Sequence, residues 1–191
     1  ADGALTLDQG WAERLAPVCG PLERAGPPEE RPEPRWALYR TLRAAGFFVD
    51  GRSYYGCFRC DTRGDAADEE RLRALLARVV PAGVAWAMNL GKYDFFPEAS
   101  GKGNAVAYLQ ARLGGLKADE CAALFDDDND LPMAARCGTR MLPGLTSESV
   151  RYAVAEHPEW EVAPSAGLGV YAIEELLEEL LARVRQPGSS K

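Results

Sequence analysis

Two short stretches carry most of the chemistry this sequence can offer. The first is Phe125-Asp126-Asp127-Asp128-Asn129-Asp130-Leu131-Pro132, in which four carboxylates and an amide fill five positions directly after the apolar run Cys121 to Phe125. Unit charges about 4 Å apart repel by roughly 1 kcal/mol in water, and several-fold more where water is partly excluded. A divalent cation would relieve that repulsion, so the turn reads as a metal site. The second stretch is Ser100-Gly101-Lys102-Gly103-Asn104. Its glycines let backbone approach a ligand closely, and Lys102 stands as a point charge at a helix start, the combination a phosphate dianion wants. A lysine for phosphate and, one βα step on, carboxylates for a metal that also holds the phosphate make a phosphoryl-transfer arrangement.

Magnesium suits the acidic turn better than calcium. Asp126, Asp128 and Asp130 open like a calcium loop, but the sixth position is Leu131 where a glycine must turn, and the twelfth is Cys137 where a bidentate Glu is needed. Magnesium needs one or two carboxylates and completes its shell with water and phosphate oxygens. A solvated helix cap is the structural alternative, although a cap needs a single Asp or Asn. Other candidates carry less. Cys57-Phe58-Arg59-Cys60 falls within an expected strand, whereas a redox C-x-x-C opens a helix and a zinc site needs two more ligands. His157, the only histidine, stands at an expected exposed helix end, which disfavours Ser-His or Cys-His chemistry. Gly167-Leu168-Gly169-Val170-Tyr171-Ala172 imitates a dinucleotide fingerprint without the further strand and acid, so it reads as a tight strand-to-helix loop bordering the same ligand mouth.

The elements that must position these residues follow from periodicity and punctuation. Helices are expected over Asp8 to Val18, Pro34 to Ala45 and Ala66 to Val80, the last with Leu72, Leu75, Leu76 and Val79 on one face. Phe47-Phe48-Val49 and Tyr54 to Cys60 read as strands joined by an Asp50-Gly51 hairpin, and Val84 to Leu90 with Tyr93 to Phe96 as another strand pair. Residues 1–96 thus form one α/β layer, a sheet with helices on one face. After it the rhythm alternates: helix Asn104 to Leu113 with Val106, Leu109 and Leu113 as its buried stripe, then strand Cys121 to Phe125, buried on both faces. Helix Leu131 to Cys137, strand Thr139 to Leu142, helix Ser147 to Glu156, strand Glu159 to Ala163 and helix Ala172 to Val184 follow. Strict alternation means parallel βα units over 97–185, with residues 186–191 a tail.

Composition bounds the partners. The chain has 191 residues, 47% hydrophobic and 27% charged, with a net charge of −7 and no basic run, which argues against nucleic acid or an anionic membrane as main partner. No apolar run suits membrane insertion, and five scattered cysteines suggest a reducing compartment. A soluble, intracellular protein of the cytoplasm or an organelle such as the chloroplast is expected.

With both stretches placed, the chain resembles the haloacid dehalogenase superfamily, in particular its sucrose-phosphate phosphatase-like branch. Pro97, Gly101, Lys102, Gly103 and Ala107-Tyr108-Leu109 look like that branch's P-x-G-x-G-K-G…A-Y-L segment, and Phe125 to Asp130 like its G-D-S-G-N-D. The resemblance implies a Rossmann-like parallel sheet core, incomplete at its amino-terminal side, with an inserted α/β cap over residues 1–96. It implies a Mg²⁺-dependent phosphatase of a sugar phosphate, with Lys102 binding the substrate phosphate beside Asn129, and with Asp126 and Asp130 holding the metal. Ala99 and Phe125 replace family glycines, and Arg52-Ser53-Tyr54-Tyr55 stands where the branch has R-P-H-K for sugar recognition. The family's nucleophilic D-x-D-x-T is absent from these residues. The chain is therefore expected to be inactive alone, with its sheet edge covered by a protein partner or a second copy; the alternative is a non-catalytic binding module.

Overall fold

The computed structural model describes residues 6–21, 26–52, 54, 56–89 and 91–185; the expected tail, 186–191, lies outside them, as do Ser53 and Tyr55. The chain divides into two compact units between Gly101 and Lys102.

In the first unit, α1 (Gln9–Cys19) starts at Asp8, whose carboxylate accepts the Trp11 N–H at 3.1 Å. Helix α2 (Pro34–Ala44) has Pro34 in its first turn and is followed by Gly46 at a φ of 89°, a conformation only glycine adopts cheaply. Strands β1 (Phe48–Asp50) and β2 (Phe58–Asp61) precede α3 (Ala66–Val79), whose cap is Asp65. Strands β3 (Val84–Asn89) and β4 (Lys92–Pro97) complete an antiparallel sheet of order β1-β2-β4-β3. Alternation then sorts the side chains. Phe58, Cys60, Tyr93 and Phe95 are buried with Trp36, Leu38 and Leu42 of α2 and Leu72 and Leu76 of α3, and the Phe58 and Phe95 rings stack at 4.8 Å. The intervening residues pair as ions across strands, Arg59 with Asp94 and Lys92 with Asp61.

Asp50-Gly51 is not a two-residue hairpin. Asp50 pairs with Arg59, so residues 51–57 form the connection and β2 starts at Phe58 rather than Tyr54. Asp50 instead accepts the Arg52 N–H at 3.0 Å, and a Cβ on Gly51 would lie 3.0 Å from the Trp36 and Tyr39 rings. Local turn chemistry and core packing set this connection. The tight hairpin is β3–β4, closed by the Asn89 and Lys92 pair with Gly91 at a φ of 74°.

The second unit runs α4 (Lys102–Arg112), β5 (Ala122–Leu124), α5 (Leu131–Ala134), β6 (Thr139–Leu142), α6 (Glu148–Glu156), β7 (Glu161–Val162) and α7 (Val170–Arg185). Its sheet is parallel, of order β5-β6-β7. One side of the core contains Ala123, Phe125, Ala134, Leu142 and Val150, the other Met141, Ala163, Ala172 and Leu176. The strand buried on both faces is β6, where Met141 and Leu142 are both fully buried. β5 stands at the end of the strand order and exposes Ala122, contrary to the sequence expectation, because a short apolar run does not distinguish an edge strand from a central one. The expected stripe on α4 also fails: Val106 is partly buried, but Leu109 and Leu113 are exposed. The helix packs through its first turn, where a Cβ on Gly103 would lie 2.7 Å from the Pro132 carbonyl oxygen. Among the described residues no helix is long and apolar enough to cross a membrane.

Candidate functional site

Lys102 opens α4 directly after Gly101, which holds a φ of 90°. Gly103, expected to admit a ligand, instead admits the backbone of α5. That close approach brings the lysine to the acidic turn, where its Nζ donates to Asn129 Oδ1 at 2.9 Å and to the Asp130 carboxylate. Asp130 is only 6% exposed, so its charge is neutralised by Lys102 in a largely dry setting. Lys102, Asn129 and Asp130 therefore form one constellation.

The rest of the turn is tied locally. After β5 the chain passes Asp126 and forms a tight helical turn at Asp128–Asp130; Asp127 caps it through the Asp128 N–H at 2.8 Å, and the Asp130 N–H donates to the Asp127 carbonyl at 3.0 Å. The loop after β6 clasps this turn. The Thr146 N–H donates to the Asp126 carbonyl at 3.2 Å, its hydroxyl donates to the same oxygen, and the Ser147 hydroxyl donates to the Asp128 carboxylate. The loop after β7 joins through the Gly167 N–H, 2.8 Å from the Pro143 carbonyl oxygen. Three loops at the carboxyl ends of three parallel strands thus meet around Asp126, the position where open α/β sheets place ligands.

Asp126 is the open member of the group. It is exposed, and its carboxylate alone among the four has no donor among the described residues. Among the described residues no three or more His, Cys, Asp or Glu side chains converge as a metal cage. One free carboxylate at a strand end still fits a largely hydrated Mg²⁺, whereas Asp130 is already neutralised by Lys102. Sequence reasoning missed Thr146 and Ser147. Ser147 was legible as a helix start, but nothing local signals its second partner nineteen residues earlier.

Of the discounted candidates, the glycine loop after β7 borders this site through Gly167, whereas the cysteines and His157 have surroundings of their own. Cys57 is half-buried and Cys60 buried; desolvation pushes their thiols up to about 11 and about 12, and all five cysteines are free. His157 ends α6 in the open, with its ring stacked on Trp160 at 4.7 Å and Nδ1 3.1 Å from Glu159. Gly167 and Gly169 take φ values of 93° and 59° in a tight strand-to-helix loop.

No family model and no curated protein matches the sequence. Solved structures do. The sucrose-phosphatase of Synechocystis sp. PCC6803, solved in complex with sucrose and phosphate, superposes with a TM-score of 0.53 at 18% identity over 77% of this chain. The fold is haloacid dehalogenase-like. The haloacid dehalogenase-like hydrolase yhjK of Bacillus subtilis gives 0.52 at 18% identity over 91% of this chain, and one from Bacteroides thetaiotaomicron gives 0.55 at 16% over 83%. This chain spans 65%, 61% and 67% of those three proteins' lengths. At such identities the likeness concerns the fold alone.

Proposed function

We propose that this chain belongs to a phosphomonoester hydrolase of the haloacid dehalogenase type acting on a sugar phosphate. The observation that carries the reading is that Lys102, held by Asn129 and Asp130, shares one turn with the Asp126 carboxylate at the end of β5, which has no donor among the described residues. Lys102 binds a phosphate oxygen by pivoting from Asp130, and its ammonium offsets charge on the transferring group. Asn129 orients the lysine. Asp126 would hold Mg²⁺, with Asp130 entering as a second acid once Lys102 has pivoted to phosphate, and the ion would supply charge neutralisation at phosphate oxygens. Residues 1–96 serve as the specificity cap and 97–185 as part of the core. Sucrose phosphate is disfavoured as the particular substrate because the segment from Arg52 departs from the branch's sugar-recognition pattern.

A phospho-aspartyl route also needs a carboxylate in line with phosphorus, and no D-x-D-x-T stands in these residues. That absence favours a second reading, a module that binds phosphate and Mg²⁺ without hydrolysing, possessed of the same site. The site common to both readings is tested by assaying the 191-residue chain against a panel of sugar phosphates, alongside calorimetric binding of inorganic phosphate with Mg²⁺. We expect phosphate binding that Lys102→Met abolishes, and no turnover above background. Turnover dependent on Lys102 would establish hydrolysis by these residues alone, and phosphate binding indifferent to Lys102→Met would sink both readings.

A further inference from the structure

The first unit's sheet has one edge that nothing guards. β3 stands last in the order β1-β2-β4-β3, so only β4 pairs with it. The Glu98 N–H donates to the Gly83 carbonyl at 2.7 Å, which makes that a hydrogen-bonded pair continuing the β3–β4 ladder and fixes the alternation along it. Ala85, Ala87 and Asn89 therefore bond β4, while Trp86 and Met88 turn their backbone N–H and C=O groups outward, where they meet no partner among the described residues. Their side chains are left open as well. Trp86 packs against the Tyr93 ring with centroids 5.2 Å apart, yet it is 42% exposed, and Met88 is 41% exposed.

Edge strands are ordinarily kept from pairing by shortness, charge or proline. β1, the opposite edge, has three residues and ends on Asp50, and β5 and β7 have three and two. β3 has six, Val84-Ala85-Trp86-Ala87-Met88-Asn89, none of them charged and none proline. A strand so composed is complementary to itself. We propose that β3 is the contact of a homodimer, in which two copies pair antiparallel about a two-fold axis at Ala87 and join their four-stranded sheets into one. In this register Trp86 stands opposite the partner's Met88, so the outward-turned residues exchange both N–H···O=C bonds and each indole meets a thioether. On the other face Ala87 meets the partner's Ala87, and no like charges are opposed across the seam. One strand a side buries well under the ~1,600 Å² of a stable interface, so the dimer is weak, with a dissociation constant on the order of 10–100 μM.

Sedimentation of the 191-residue chain over roughly tenfold either side of that concentration tests it. A reversible monomer–dimer equilibrium that stops at the dimer is expected. Ala87→Lys and Ala87→Glu each set like charges directly opposite one another across the axis and are expected to weaken the dimer about tenfold or more, whereas an equimolar mixture of the two is expected to restore it. Met88→Pro removes an outward N–H, leaves the ladder to β4 whole, and is expected to give a monomer. Circular dichroism of each variant at low concentration checks that it folds, and Met88→Pro carries the test if an Ala87 variant does not. A wild type that stays monomeric throughout, association that grows past the dimer, a dimer indifferent to Met88→Pro or to both Ala87 variants, or a mixture of folded Ala87 variants that stays monomeric overturns the proposal.

Discussion

The sheet of the first unit and the acidic turn of the second treat their charges in opposite ways. On the face of the first sheet opposite its aromatic core, Arg59 grips Asp94 with two hydrogen bonds of 2.6 and 2.7 Å and Lys92 meets Asp61 at 3.1 Å, while on the helical side Arg73 bridges Glu69 and the Tyr93 hydroxyl. Each of these carboxylates has a cation directly across a strand or one helical turn away, so its charge serves the fold. In the second unit four acids stand in one turn with a single lysine among them, and Asp126 is left with no donor among the described residues. Charge that the fold itself does not neutralise marks the place to look for function.

The contrast extends to the cores and gives it a first test. The first unit's core is built around several packed aromatic rings, the second's mostly on Ala, Leu, Val and Met with Phe125 edge-on to Trp160. Phe95→Ala should cost about 3–5 kcal/mol, as removing a fully buried aromatic side chain does. Urea unfolding should show the loss in the first unit, which contains Trp36 and Trp86, with the transition around Trp160 in the second left in place. Equal shifts at both would erase the distinction between the units. The next largest effect falls on the second unit. Gly103→Val drives a side chain into the Pro132 backbone and should cost about 1–3 kcal/mol, with phosphate binding lost as Lys102 leaves Asp130. Lys102→Met should cost less, about 1–2 kcal/mol, since it removes one partner of a buried carboxylate without moving a helix. Lys102→Arg should restore stability more than binding, because a planar fork does not replace a compact ammonium.

A further effect is confined to alkaline pH. Burial raises the Cys60 thiol from 9.0 to about 12, so the unfolded chain gives up that proton first. The contribution is constant below pH 9.0 and is lost as pH rises from there toward about 12. Cys60→Ala should therefore show a shallower fall of the first unit's unfolding midpoint over that window. Identical profiles would mean that the thiol is not desolvated as its burial implies.

Much of this was readable from residue types because the signals were local. Asp8 and Ser147 stand where helices begin, since a side-chain oxygen before an apolar stripe satisfies backbone donors nothing else can reach. The parallel second sheet follows from strict alternation of elements. The failures involve partners far along the chain. Leu109 and Leu113 have helical spacing, but spacing cannot say which stripe a neighbour covers. Asp50-Gly51 looked like a hairpin until the Trp36 and Tyr39 rings set its course. At the site, Lys102 and the acids were legible as chemistry, whereas the allotment of Asp130 to the lysine and Asp128 to Ser147 needed the fold.

The contact between Gly103 and Pro132 bears on how this chain can change over evolutionary time. With under 3 Å available for a side chain, position 103 admits no larger residue until α5 shifts, and α5 follows directly on the turn that anchors Lys102. Drift at one position is therefore epistatic with the other, and a viable replacement at 103 is expected to require a companion change at 131–134. A saturation library that varies residues 101–103 alone should return glycine at 103, while one that co-varies 131–134 should open it.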